Sequence, residues 1–174
     1  MLEAARSIMG RLRARDAAEL AEYGFDRETA AYAFAAPAVL AQVFAGATGP
    51  VAVVTFHRLT PKAVVASLMA TDAWPQVARA VVRWGMRDAK PALLALGYER
   101  AECRTLEGHA DAIRLLERLG FVLECRLPRF GASGATFLQY AWRLNDHVSL
   151  QSAEGAAAPA TAADTGIEAG GGTV

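Results

Sequence analysis

Apolar positions along the chain switch between helical and strand spacing, and the switches mark out its elements. From Ala4 to Tyr23, Ile8, Leu12 and Leu20 share one helical stripe with Arg and Glu elsewhere, which predicts a helix ended by Gly24. Asp26 reads as the N-cap of a second helix running from Arg27 to about Ala36 and stopped by Pro37. Strand spacing follows. Val39–Phe44 is a short strand, Val51–Leu59 is rich in β-branched and aromatic residues, and Ala63–Met69 is apolar on both faces, as a central strand is. A long helix begins near Trp74-Pro75, capped by Thr71 or Asp72, with Pro91 expected to kink or interrupt it and Gly97 beyond its end. Glu99–Arg104 is a short strand. Ala112, Leu115, Leu116 and Leu119 then define an amphipathic helix closed by Gly120. Phe121–Leu127 and Ala135–Leu144 are two strands joined by a Gly-containing hairpin loop.

Composition changes this picture at one end only. After Asn145 the chain is nearly all Ala, Gly, Thr, Ser, Asp and Glu, which cannot bury enough apolar surface to offset its ordering entropy. Residues 1–148 are therefore expected to form one α/β domain and 149–174 a disordered tail. The 174 residues are 53% hydrophobic, enough for a core, and Lys+Arg and Asp+Glu balance at 18 each. A chain held to nucleic acid by its phosphates carries a basic excess, so that partner is not expected. Arg6, Arg11, Arg13 and Arg15 make the first stretch locally basic, which reads as a solvated helix face or, less simply, a nucleic-acid arm. No secretory signal and no uncharged apolar run of membrane-spanning length are present, which points to a soluble, cytoplasmic protein. Cys103 and Cys125 are too few for a disulfide framework and lack metal-ligand spacing, and His57 has no second ligand at useful spacing, so no metal site is expected.

The segment Ala112-Ile113-Arg114-Leu115-Leu116-Glu117-Arg118-Leu119-Gly120-Phe121 resembles the C-terminal signature of the GNAT (N-acetyltransferase-like) superfamily. Gly97-Tyr98 followed by Ala101-Glu102-Cys103-Arg104 resembles that family's turn and strand before the helix, and Arg15-Asp16-Ala17-Ala18-Glu19 resembles its first helix. The element order is similar up to Asn145, except that the short strand with which such chains open has no counterpart before the first helix. Within the superfamily, Gly131–Trp142 is most similar to a phage- and prophage-borne branch, whose members are described as acetyltransferases or as head-assembly or internal virion proteins.

The resemblance implies a mixed, mostly antiparallel sheet with helices on both faces and a splayed parallel pair, acetyl-CoA in the splay, and acetyl transfer to an amine. It also implies that the last strand inserts between those carrying Cys103 and Cys125, which sets the sulfurs roughly 9–10 Å apart, beyond disulfide reach. The cofactor would lie against Met69, Thr71, Trp74, Gln76 and Arg79 at the start of the long helix and His109 before the last one. Glu102 and Tyr140 are the candidates for proton transfer at the acceptor amine. Each has a plainer reading: Asp72 as a cap, Trp74 on the sheet, Arg79 at the surface, His109 as a helix cap, Glu102 paired with Arg100 or Arg104, Tyr140 in packing. The stretch Ala70–Gln76 has no glycine where the family alternates them, and Leu116 stands where a tyrosine is often the acid. Two functions stay open: an acetyltransferase acting on an unidentified amine, or a non-catalytic virion or head-assembly protein with phage structural partners. Self-association is open in both.

Overall fold

The computed structural model describes residues 1–143. The expected domain boundary at 148 and the tail from 149 lie outside the described residues. Three helices come first: α1 (Leu2–Met9), α2 (Ala14–Glu22) and α3 (Arg27–Ala35). The strands β1 (Leu40–Gly46), β2 (Gly49–Arg58) and β3 (Ala63–Ala70) follow as a meander. A 3₁₀ turn (Trp74–Gln76) leads into α4 (Ala78–Trp84), a π-turn (Gly85–Ala89) and α5 (Lys90–Ala95), then β4 (Arg100–Leu106), α6 (Ala110–Arg118), β5 (Val122–Leu127) and β6 (Phe137–Arg143).

The six strands form one sheet in the order β1-β2-β3-β4-β6-β5. Every neighbouring pair is antiparallel except β3 and β4. The expected insertion of the last strand is observed, with β6 between β4 and β5; Cys103 faces Tyr140, Cys125 faces Gln139, and both thiols are free. Helices α4 to α6 cover one face through Val81, Leu93 and Leu116, packed on Val54, Val64 and Trp142. Helices α1 to α3 cover the other through Ile8, Met9, Leu20 and Phe34, packed on Val53 and Met69. Among the described residues no helix is long and apolar enough to cross a membrane.

One local expectation needs correction. The single helix expected over Ala4–Tyr23 is broken after Met9, because the chain there joins the sheet: Leu12 bridges Thr71 and the Arg13 N–H donates to the Ala70 carbonyl at 3.1 Å. Leu12 makes an isolated bridge to the sheet before α2, and no strand precedes α1 among the described residues. The α-helical ladder is interrupted, as expected, next to Pro91. The π-turn just before it widens the ladder where proline lacks an N–H, so the helical path continues to Ala95. Gly97 and Gly120 end their helices at φ +84° and +81°, as anticipated. The basic N-terminal residues are engaged within the chain: Arg6 with Glu28, Arg11 with the Pro50 carbonyl, Arg13 with Asp16, Arg15 with Asp111.

Candidate functional site

The parallel pair supplies the geometry. β3 and β4 are in register only over Ala63–Val65 and Arg100–Glu102, after which they diverge. The gap opens into a cleft of about 240 Å³ that runs between the strands, with α2 and α3 on one side and α6 on the other. Hydrogen-bonding direction alternates along a strand. At Ala70 both backbone groups point away from β2, the N–H to Asp16 and the carbonyl to Arg13. Leu68 therefore turns its own amide groups into the same gap, past the end of the β3–β4 ladder.

A buried polar network closes the wide end of the gap. Asp16, 3% exposed, accepts from Arg13 Nε at 2.6 Å and from the Ala70 N–H at 2.7 Å. His109, also 3% exposed, lies 2.9 Å from the same carboxylate through Nε2, while its Nδ1 accepts from the Ala112 N–H at 3.3 Å. With Nδ1 accepting from Ala112, Nε2–H donates to Asp16, so His109 ties α6 to α2 and caps it at once. The Arg13 guanidinium also stands 5.2 Å over the ring of Trp74. Beside this network, Glu19 Oε2 accepts from the Thr105 hydroxyl at 2.7 Å and the Leu106 N–H at 2.9 Å. Burial raises the Glu19 pKa above its ordinary value. Burial pushes the Tyr23 hydroxyl up as well, and the Cys103 thiol up to about 12, which keeps Cys103 protonated and unsuited to nucleophilic attack at neutral pH.

A second cleft, of about 470 Å³, lies between the start of the long helix and α6. Leu115 lines both clefts. Arg79, Arg114 and Arg118 surround the second one; Arg114 pairs with Asp111, while Arg79 and Arg118 have no ion-pair partner among the described residues. The N–H groups at Thr71–Gln76, before the long helix, are largely occupied: Trp74 donates to Thr71, Gln76 to Ala73, and Pro75 has none. The open donors come one turn later, at Ala78 and Arg79, which line this cleft and have no backbone acceptor among the described residues.

The residues anticipated from sequence divide between these surfaces and the core. Met69 and His109 line the first cleft; Trp74 and Arg79 line the second. Thr71 is buried, with its hydroxyl accepting from the Ala73 N–H, and Gln76 reaches towards Gly46 on the β1–β2 hairpin. Tyr140, 3% exposed, packs in the core among α4 to α6, and neither cleft includes it. Glu102 lies outside both clefts too. It accepts from Arg100 and Gln139, each at 2.8 Å, and burial, which would raise its pKa, is outweighed by these partners, so its carboxyl sits below the ordinary value. Glu19, Asp16 and Arg13 on the cleft, and Arg114 and Arg118 beside it, were not among the anticipated residues. Among the described residues no cluster suited to a metal ion is found.

No protein-family model matches the chain, and no curated protein matches it. Solved structures do. It superposes on the ribosomal-protein-S18-alanine N-acetyltransferase from Escherichia coli with a TM-score of 0.61 at 16% identity, covering 82% of this chain and 87% of that one. A putative phosphinothricin N-acetyltransferase matches with a TM-score of 0.61 at 15% identity, covering 83% and 93%. The chain spans 62% of a putative acetyltransferase from Salmonella typhimurium, matched at 15% identity and a TM-score of 0.48 over 58% of this chain. At these identities the likeness concerns architecture, and that architecture is the GNAT N-acetyltransferase fold.

Proposed function

We propose that the protein is a GNAT-type acyltransferase that moves an acetyl group from acetyl-CoA to a primary amine. The observation that carries this reading is that two clefts of different chemistry share a wall at Leu115. One side offers an unpaired strand edge at Leu68 in a largely apolar gap, suited to an extended amide-bearing arm. The other offers Arg79, Arg114 and Arg118 with the open N–H groups of Ala78 and Arg79, suited to a polyanion. Coenzyme A has that sequence of parts: a thioester, an amide-containing arm, and phosphates at the far end. Arginine side chains and the next helical turn take the part that alternating glycines play in the family's loop. When bound, the thioester supplies an activated acyl carbon. The chain's contribution is to hold the arm along β3, to keep water out with Leu68, Leu115 and Leu116, and to place the acceptor nitrogen opposite. The virion-assembly alternative and the phage setting rest on sequence resemblance alone, and no feature of the two clefts favours them.

The test is a thermal melt of the protein with millimolar acetyl-CoA, desulfo-CoA or ATP. Ligand at about a hundred times its dissociation constant stabilises by roughly 2.7 kcal/mol, on the order of 5–10 °C here. A rise with acetyl-CoA and desulfo-CoA but not ATP is expected; no rise at saturating acetyl-CoA would sink the reading.

A further inference from the structure

The cleft between β3 and β4 contains three cationic groups or potential ones, Arg13, Arg104 and His109, and each is already engaged. Arg13 and His109 are bound to Asp16, and Arg104 donates to Gln139 at 2.7 Å. Glu19 differs. Its two donors, the Thr105 hydroxyl and the Leu106 N–H, are both neutral and both serve Oε2, so Oε1 has no donor among the described residues. A carboxylate set in a low-dielectric cleft without a counter-ion favours a cation that can donate to it. The lining around it is apolar: Leu20, Ala30, Phe34, Val65 and Leu68, with Ala33 exposed at the mouth. Phe25 lines the cleft as well and is 49% exposed, an aromatic ring held open to solvent at the entrance.

We propose that Glu19 is the group that receives the acceptor amine, and that the acceptor is a small monoamine with an aliphatic or aromatic body, admitted past Phe25 and Phe34. This rests on the acetyl-transfer reading for the reaction, but the amine site is defined independently of it. The cleft, about 240 Å³ in all, also receives the acyl end of the arm along β3, so the acceptor's share of it restricts the amine to a small body. A polyamine is disfavoured because the cleft's other carboxylate, Asp16, is already bound to Arg13 and His109, so a second ammonium would have no free carboxylate to balance it. In the reaction, Glu19 takes one proton from the bound ammonium and frees the nitrogen lone pair. The nitrogen attacks the thioester carbonyl carbon; the C–N bond forms, the C–S bond breaks, and the electron pair leaves on sulfur. The second nitrogen proton passes to that sulfur to give the thiol, and Glu19 releases its proton to water.

The experiment uses the full chain with 2-phenylethylamine and spermidine as probes, and measures amine binding by calorimetry as well as thiol release with acetyl-CoA. Wild type is expected to bind 2-phenylethylamine more tightly than spermidine. Glu19→Gln should weaken that binding at least tenfold and lower kcat by about 10²-fold or more. Ala33→Trp, at the exposed mouth and away from the hydrogen bonds, should also abolish amine binding. Binding that is unchanged in Glu19→Gln, or tighter for spermidine, overturns the proposal. If desulfo-CoA fails to stabilise the protein while 2-phenylethylamine still binds through Glu19, the amine site stands and the acetyl-CoA reading falls. If desulfo-CoA stabilises it and amine binding ignores Glu19, the proposal falls alone.

Discussion

Asp16 and His109, 93 residues apart in sequence, meet at 2.9 Å with both side chains 3% exposed. This contact ties α2 to the start of α6 across the gap between β3 and β4. Asp16 also accepts from Arg13 and from the Ala70 N–H, so one carboxylate holds the N-terminal segment, the end of β3 and the cap of α6 together. Removing it leaves an arginine, an imidazole N–H and a backbone N–H unpaired inside the protein. Asp16→Ala is expected to cost about 3–5 kcal/mol, the range for breaking a buried pair from one side. Urea unfolding with an unchanged m-value is the measurement, and a loss below about 1 kcal/mol would mean that water takes over these contacts.

His109 separates its two roles by substitution. Asn at this position keeps a side-chain acceptor for the Ala112 N–H but does not reach Asp16 in the same way. His109→Asn should therefore lose less stability than His109→Ala, by roughly 1 kcal/mol, the usual worth of an N-cap. Equal losses would show that the cap hydrogen bond, 3.3 Å long, contributes little.

Much of the fold was legible in the sequence, because period and punctuation coincide: each strand and each glycine stop lies close to where the apolar pattern puts it. The break at Gly10–Arg13 was not, since helical spacing runs straight through it and only the tertiary contact of Leu12 with Thr71 explains it. The site was less legible. Asp16 falls on the stripe of Ile8, Leu12 and Leu20 at steps of four, and an acid on an apolar stripe was the available signal of a buried network. Glu102 could also have been placed: in Arg100–Thr105, Ala101 and Thr105 are buried, and the charged residues alternate with them on the opposite face. What no local pattern reveals is that Arg114 and Arg118 come to face Arg79, because that depends on how two helices are set on the sheet.

The arginine cleft yields a prediction separable from catalysis. Arg79→Glu with Arg118→Glu reverses two charges that have no ion-pair partner among the described residues, so stability should change by no more than about 0.5 kcal/mol. Desulfo-CoA affinity should fall at least tenfold, about 1.4 kcal/mol, and the wild-type affinity should weaken as salt is raised while the variant's changes less. Affinity that survives both reversals would move the phosphates elsewhere.

Glu102→Gln tests the ion-pair face of β4. Its carboxyl lies below the ordinary value, against the pull of burial, through Arg100 and Gln139. A depressed native pKa means that the folded state holds the proton less tightly than the unfolded chain, so the stabilisation is present above the ordinary glutamate range and is lost as pH falls through the native value. The wild type should exceed Glu102→Gln in stability at pH 7, with the gap closing on acidification. Desulfo-CoA binding should be equal in the two proteins, because Glu102 lines neither cleft.

Glu19 has the opposite sign. Burial, the largest influence, raises its pKa; the Leu106 and Thr105 hydrogen bonds and His109 oppose the rise, and Asp16 adds to it. Arg13, Arg104, Tyr23 and Cys103 complete the ionisable groups of the cleft. A native carboxyl with a raised pKa binds its proton more tightly than the unfolded chain does. Stability contributed by the protonated form is therefore fully present below the ordinary glutamate value of 4.5 and is lost as pH rises through the higher native value. Glu19→Gln keeps an oxygen to accept from Thr105 and Leu106 and carries no charge to desolvate. It is expected to melt above the wild type at pH 7–8 and to match it near pH 4, while losing amine binding. A group that destabilises the empty protein at the pH where it binds ligand is what a functional carboxylate produces. Melting curves of the two proteins across pH 4–8 decide the matter: a variant less stable than wild type throughout would make Glu19 a structural acceptor for β4 and nothing more.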